Sequence, residues 1–185
     1  MSREFKLLFA GPMGAGKTTA ITAISDRPPI ATEAANSDQA QSAKADTTVA
    51  LDYGEVALGD GPPLRLYGLP GQQRFDFMWT IVAENALGVV VLLDNRRPSP
   101  LEDLACYVEA FADLVDRAAL VVGLGRAAEG RASVQALGDW LAARGTPAPV
   151  FSVDVRRRED VLLLLDALLQ QIELQTLVVS PTVAA

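Results

Sequence analysis

The 185-residue chain reads as a three-layer α/β fold, a mostly parallel six-stranded sheet with helices on both faces. Three observations predict it. The apolar run FKLLFA (5–10) passes directly into GPMGAGKT and then into KTTAITAIS, which reads as strand, tight turn and helix. The runs LGVVVLLD (87–94) and ALVVGL (119–124) are continuously apolar, as strands buried on both faces are. Around them, helical and strand-like segments alternate, the order that builds parallel sheets through crossover helices.

Each element follows from its own residues. The first helix is expected to end near Asp26 and Arg27, because Pro28 and Pro29 cannot continue it. From Ile30 to Thr47 the chain is polar, rich in small residues and aperiodic (ATEAANSDQAQSAKADT), which predicts a long loop. Loops of that length inside a compact domain are usually functional. TVALDYGEVAL (48–58) and PLRLYGL (63–69) predict two strands joined by the turn GDGPP. Helices are predicted around 71–85, from about Pro100 to Arg117, near Ser133–Arg144 and from about Arg158 to Leu177. The sixth strand is PVFSV (149–153). Residues 1–179 are expected to form a single domain and 180–185 a short flexible tail.

Composition excludes several functions. Hydrophobic residues make up 50% and charged residues 21%, an ordinary globular balance. A net charge of -7 and a pI of about 4.6 oppose broad attraction to nucleic acid or anionic lipid. With no histidine, imidazole acid–base catalysis and histidine-ligated metals are excluded. The single cysteine, Cys106, can form no internal disulfide, and its setting in LACYVEAF predicts a packed helix thiol. No apolar run approaches the ~20 residues that cross a bilayer. The Met-Ser start lacks a myristoylation glycine, the SPTVAA end lacks a prenylatable cysteine, and no secretory leader is legible. A cytoplasmic protein without its own membrane anchor is expected.

The strongest chemical signal is the full G-x-x-x-x-G-K-T pattern from Gly11 to Thr18, set between a strand and a helix. Glycines let the backbone wrap phosphate oxygens and turn successive N–H groups inward. The helix adds the positive end of its dipole. Lys17 can reach the β- and γ-phosphates, and the Thr18 hydroxyl can ligate Mg²⁺. Met13, Gly14, Ala15, Gly16, Lys17, Thr18 and Thr19 are thus the candidate phosphate-binding stretch.

GPMGAGKTT, TTVALDYGEV, LRLYGLPGQQRFDFMW and LGVVVLLDNRR together resemble a Ras-like small GTPase, a P-loop NTPase. More narrowly they are similar to the bacterial branch of gliding-motility MglA-type and conservon-encoded GTPases. The resemblance runs from Phe5 to about Leu177. It implies a switch that binds GTP or GDP with Mg²⁺, hydrolyses GTP slowly and signals through two mobile loops. By position, Thr48 would sense Mg²⁺ and the γ-phosphate, with Thr47 one step away as an alternative. Gly71 would offer a backbone N–H to the γ-phosphate, and Gln72 would place the attacking water. Thr18 and Thr48 are the implied metal ligands, and a Roadblock/LC7-type protein is the implied regulator.

The pattern departs from the family in three places. Gly68 stands where an aspartate usually holds Mg²⁺ through water, leaving Asp46, Asp52 or Asp94 as substitutes. Met13 replaces a glycine near the γ-phosphate and would crowd an arginine finger, which predicts weak hydrolysis and a different or absent activation route. Where guanine is read by Asn-Lys-x-Asp, the chain has GLGRAAEG (123–130), with Gly125, Arg126 and Ala128 at the key positions. Arg126 could stack on a purine. The later base loop is Asp154-Val155-Arg156, which leaves the Val155 N–H as a contact. Two other functions share these motifs: a non-hydrolysing nucleotide-binding scaffold, and a P-loop small-molecule kinase. The kinase is opposed by PGQQRF and by the lack of an arginine-rich lid.

Overall fold

The computed structural model describes residues 5–27, 30–34, 49–59, 61–72, 76–115 and 118–179. Strand β1 (Phe5–Ala10) leads to helix α1 (Lys17–Ile24), and then come β2 (Ile30–Ala34), β3 (Val49–Val56) and β4 (Leu64–Gly68). Helix α2 (Asp76–Ala83), β5 (Gly88–Asp94), α3 (Pro100–Ala110) and the short α4 (Ala112–Val115) follow. Strand β6 (Ala119–Gly125), α5 (Val134–Ala143), β7 (Val150–Val153) and α6 (Arg158–Val179) complete the order.

The sheet runs β2-β3-β4-β1-β5-β6-β7. Pairings from β4 to β7 are parallel, whereas β2 with β3 and β3 with β4 are antiparallel. The three-layer, mostly parallel α/β architecture is the predicted one, but the sheet has seven strands, not six. The added strand is Ile30–Ala34, drawn from the segment predicted as loop, with Ile30 opposite Tyr53 and Ala34 opposite Val49. IATEA is short and carries little apolar alternation, so its pairing comes from the free edge of β3 and not from its own pattern. The rest of the predicted loop, including Asp46 and Thr47, lies outside the described residues, as do Thr48, predicted to open the next strand, and residues 180–185.

Alternating side chains of the central strands separate two cores, as the two-residue period of a strand requires. Leu8, Ala10, Val89, Val91 and Leu93 face α2, α3, α4 and α5. Leu7, Phe9, Val90 and Leu92 face α1 and α6, meeting Ile21, Ile24, Leu164 and Leu168. Every residue of β5 is buried, which matches its uninterrupted apolar run. On α6, Val161, Leu164, Leu165 and Leu168 face inward, whereas Leu162 and Leu163 are exposed and Leu169 is half-buried. The helix predicted over 100–117 pauses at Phe111, whose side chain turns into the core beside Trp79. Helix α2 spans Asp76–Ala83, within the stretch predicted as helix around 71–85, and Gly71 and Gln72 are themselves not helical. Half-buried Cys106 packs against the α2–α5 side of the core.

Candidate functional site

The carboxyl ends of β1, β4, β6 and β7 open onto one cleft of about 1060 Å³, the usual place for a ligand in an open α/β sheet. The cleft is lined by the Met13–Thr19 turn, by Asp52, by the stretch from Gly68 to Gln72, and by the loops after β6 and β7. Sequence-predicted residues from four separate segments therefore meet in one place.

The phosphate turn has the geometry that its glycines dictate. Gly11 takes φ +140°, and a Cβ there would lie 2.1 Å from the Leu92 carbonyl oxygen, a contact no side chain tolerates. Gly16 starts α1 in a left-handed conformation, and no side chain caps the helix. The first turn of α1 therefore presents its N–H groups toward the cleft. Lys17 is 8% exposed, and its ammonium donates to the carbonyl oxygens of Gly11 at 2.8 Å and Pro12 at 3.0 Å. Burial pushes its pKa down to about 8, while the Asp52 carboxylate pulls the other way. A desolvated cation against two carbonyls and one nearby carboxylate gains strongly from an arriving polyanion.

Gly71 lies against this turn. A Cβ on it would sit 2.5 Å from the Met13 nitrogen and 2.7 Å from the Gly11 carbonyl oxygen, so only glycine permits the approach. The backbone of Pro70 is held from beneath by Trp79, whose indole N–H donates to its carbonyl oxygen at 3.0 Å. Gln72 is exposed at the mouth of the cleft, with its amide nitrogen 3.9 Å from the sulfur of Met13, itself 69% exposed. Thr18 and Thr19 are exposed on the lip, and the Thr18 hydroxyl donates to Asp52 Oδ2 at 2.6 Å.

At the other end, Val155 packs against the phosphate turn, its Cγ2 lying 2.7 Å from where a Cβ on Gly16 would be. Asp154 accepts from the Arg156 side chain at 2.6 and 2.8 Å, and this bond above all holds its carboxyl down at about 2. The 154–160 segment is further closed by the Asp154 N–H donating to Asp160. Arg126 lines the cleft but in a left-handed backbone conformation, with its guanidinium bound to Asp94 at 3.0 Å. Hydrogen bonds from Arg96, with Arg126 adding its charge, keep the buried Asp94 carboxyl below its usual range. Ala128, at the position where guanine readers carry a carboxylate, lines the cleft and offers none.

One positioning residue escaped the sequence reading. Asn95 is fully buried, donates to the carbonyl oxygens of Ala127 and Ala132, and accepts from the Ala132 N–H at 2.8 Å. It thereby fixes the Arg126–Ala132 loop. The only sequence signal was a polar residue directly after a wholly apolar strand. The basic run Arg156-Arg157-Arg158 is accounted for locally, by Asp154, by Glu159, and by the Ala23 carbonyl with Asp26. Thr48, predicted to join the site, lies outside the described residues.

Fold and cleft together have the architecture of a Ras-like P-loop α/β domain. The chain is similar to a solved Arl6 (BBS3) small GTPase from Trypanosoma brucei with a bound nucleotide analogue, GppNp. That likeness has a TM-score of 0.67 at 15% identity and covers 93% of this chain and 99% of the other, and it establishes the small-GTPase fold. No protein-family model matches the chain. No curated protein matches it significantly. Among the described residues no helix is long and apolar enough to cross a membrane.

Proposed function

We propose that the protein is a nucleotide-dependent switch that binds GTP and GDP and hydrolyses GTP slowly. The observation that carries the reading is the convergence of the glycine-rich turn, buried Lys17, Gly71 and Gln72 on a single cleft. The buried ammonium and the helix start would hold the β- and γ-phosphates. The Gly71 N–H would meet the γ-phosphate, so that loss of that phosphate would release the Pro70–Gln72 segment. Gln72 would orient water for in-line attack, with Lys17 and backbone N–H groups stabilising the charge that develops.

A divalent cation fits the donors present, which are oxygens only. The Thr18 hydroxyl on the lip would contribute directly, together with phosphate oxygens and water. Among the described residues no group of three or more acidic or cysteine side chains is placed to hold a metal, so the phosphates must supply part of the ligand set. When bound, Mg²⁺ would neutralise phosphate charge in the transition state.

Met13 shapes the hydrolytic step. Its side chain occupies the mouth of the cleft beside Gln72, where a partner's arginine would have to pass. Stimulation by a partner's arginine would be impeded, and the regulator expected from the bacterial resemblance, a Roadblock/LC7-type protein, would have to act by another route. Single-turnover hydrolysis of bound GTP tests the reading. Gln72→Ala is expected to slow it by about 100-fold or more, the lower end of what a positioned acid or base supplies. No hydrolysis in the parent, or an unchanged rate in Gln72→Ala, would favour a nucleotide-binding scaffold. Robust phosphate transfer to nucleosides or nucleotides would favour a kinase.

A further inference from the structure

We propose that Asp52 is the carboxylate of the cation site, standing in from the neighbouring strand for the aspartate missing at position 68. The proposal rests on the nucleotide-binding reading above. Strands β3 and β4 run antiparallel with Asp52 directly opposite Gly68. A Cβ built on Gly68 would lie 2.8 Å from the Asp52 Cβ and 3.0 Å from its Oδ2. The Asp52 side chain therefore fills the space that a side chain at 68 would enter. Glycine at 68 is then a requirement of Asp52 and not merely a loss, because two carboxylates there would collide and repel.

The hydrogen bond to Thr18 gives Asp52 its role. The Thr18 hydroxyl commits its hydrogen to Asp52 Oδ2, which leaves its lone pairs for a cation and fixes their direction. The second carboxylate oxygen remains for the cation or for its water. Both residues line the cleft beside Gly71, where β- and γ-phosphates would lie. Among the described residues, the other carboxylates near the cleft are already engaged. Asp94 is held by Arg96 and Arg126, and Asp154 and Asp160 are tied into the loop after β7. Asp46 lies outside the described residues.

The test measures GDP affinity of the full chain in EDTA and in Mg²⁺, and Mn²⁺ binding to the GDP complex by electron paramagnetic resonance. It compares the parent, Asp52→Asn, and the double variant Asp52→Gly with Gly68→Asp. Asparagine can still accept the Thr18 hydrogen bond, so a thermal melt close to that of the parent is expected. The Mg²⁺-dependent gain in GDP affinity should fall by about 10- to 100-fold in Asp52→Asn, the range for a lost metal-supporting partner. Affinity in EDTA should stay level or rise, since a negative charge has left the phosphate site. Mn²⁺ binding should weaken in step, and the double variant should recover part of both. A full Mg²⁺ gain and parent-like Mn²⁺ binding in Asp52→Asn would overturn the proposal and leave the nucleotide reading intact. Equal losses in EDTA and in Mg²⁺ would assign Asp52 a structural role and also overturn it. No GDP binding by the parent under either condition would remove the nucleotide reading, and this proposal with it.

Discussion

Lys17→Met is expected to weaken nucleotide binding by about 100-fold or more while leaving the melting temperature unchanged or higher. The two halves of that result share one cause. In the protein the ammonium is buried with two carbonyl oxygens as hydrogen-bond partners and one nearby carboxylate, which is incomplete compensation for the water it has left. Methionine keeps the length and the apolar stem but removes the charge, so the fold loses little packing and no longer carries that desolvation cost. The ligand loses a buried cation, a charge-assisted contact of about 2–4 kcal/mol in sites of this kind. Titration with a fluorescent GDP analogue and a thermal melt measure both. Affinity within threefold of the parent would show that phosphates do not bind at Lys17. A sharp fall in melting temperature would instead mark Lys17 as a structural residue.

Trp79→Ala is expected to destabilise the fold by about 3–5 kcal/mol, the range for emptying a core of a large aromatic. Trp79 is 1% exposed, with Tyr107 at 4.9 Å and Phe111 at 5.9 Å between ring centroids. The cost has a second part, because the Pro70 carbonyl loses its indole donor. Trp79→Phe, which keeps most of the apolar volume, should cost about 1–3 kcal/mol, chiefly from that unpaired carbonyl. Urea unfolding curves for the two variants separate these contributions. A change of less than about 0.5 kcal/mol in Trp79→Ala, the usual surface value, would contradict its place in the core.

The same tryptophan shows how far the sequence could be read. FDFMW carries more large apolar residues than one helix face needs, and nothing in spacing alone says which turn inward. The answer depends on Tyr107 of α3 and on Phe111 just after it, which arrive from 28 residues or more along the chain. By contrast, the phosphate turn was fully legible, because every one of its requirements is local: glycines for the turn, a helix start, and a lysine and hydroxyl at fixed offsets. The central strands were legible for a similar reason, since burial on both faces leaves an unbroken apolar run. The edge strand Ile30–Ala34 was not, because its pairing is set by β3 and its residues are small and polar.

Gly68 and Asp52 show the same limit at the chemical site. Read along the chain, position 68 is a lost carboxylate and residue 52 one of three distant ones. Only the antiparallel register places one opposite the other. Asn95 likewise needed the loop it clamps to be folded back over β5 before its amide had any partners. Local motifs survive in sequence, and compensation across strands does not.

The most direct measurement of the central claim is titration of the full chain with GTP, GDP, ATP and ADP in Mg²⁺. GTP and GDP should bind, and GTP should bind more tightly than ATP, through the Val155 backbone and the loop that Asn95 holds. With Ala128 in place of a base-reading carboxylate, that preference should fall well short of the about 10⁴-fold discrimination a fully hydrogen-bonded pocket achieves. Equal or tighter binding of ATP would contradict guanine recognition, and binding of none of the four would contradict the nucleotide switch itself.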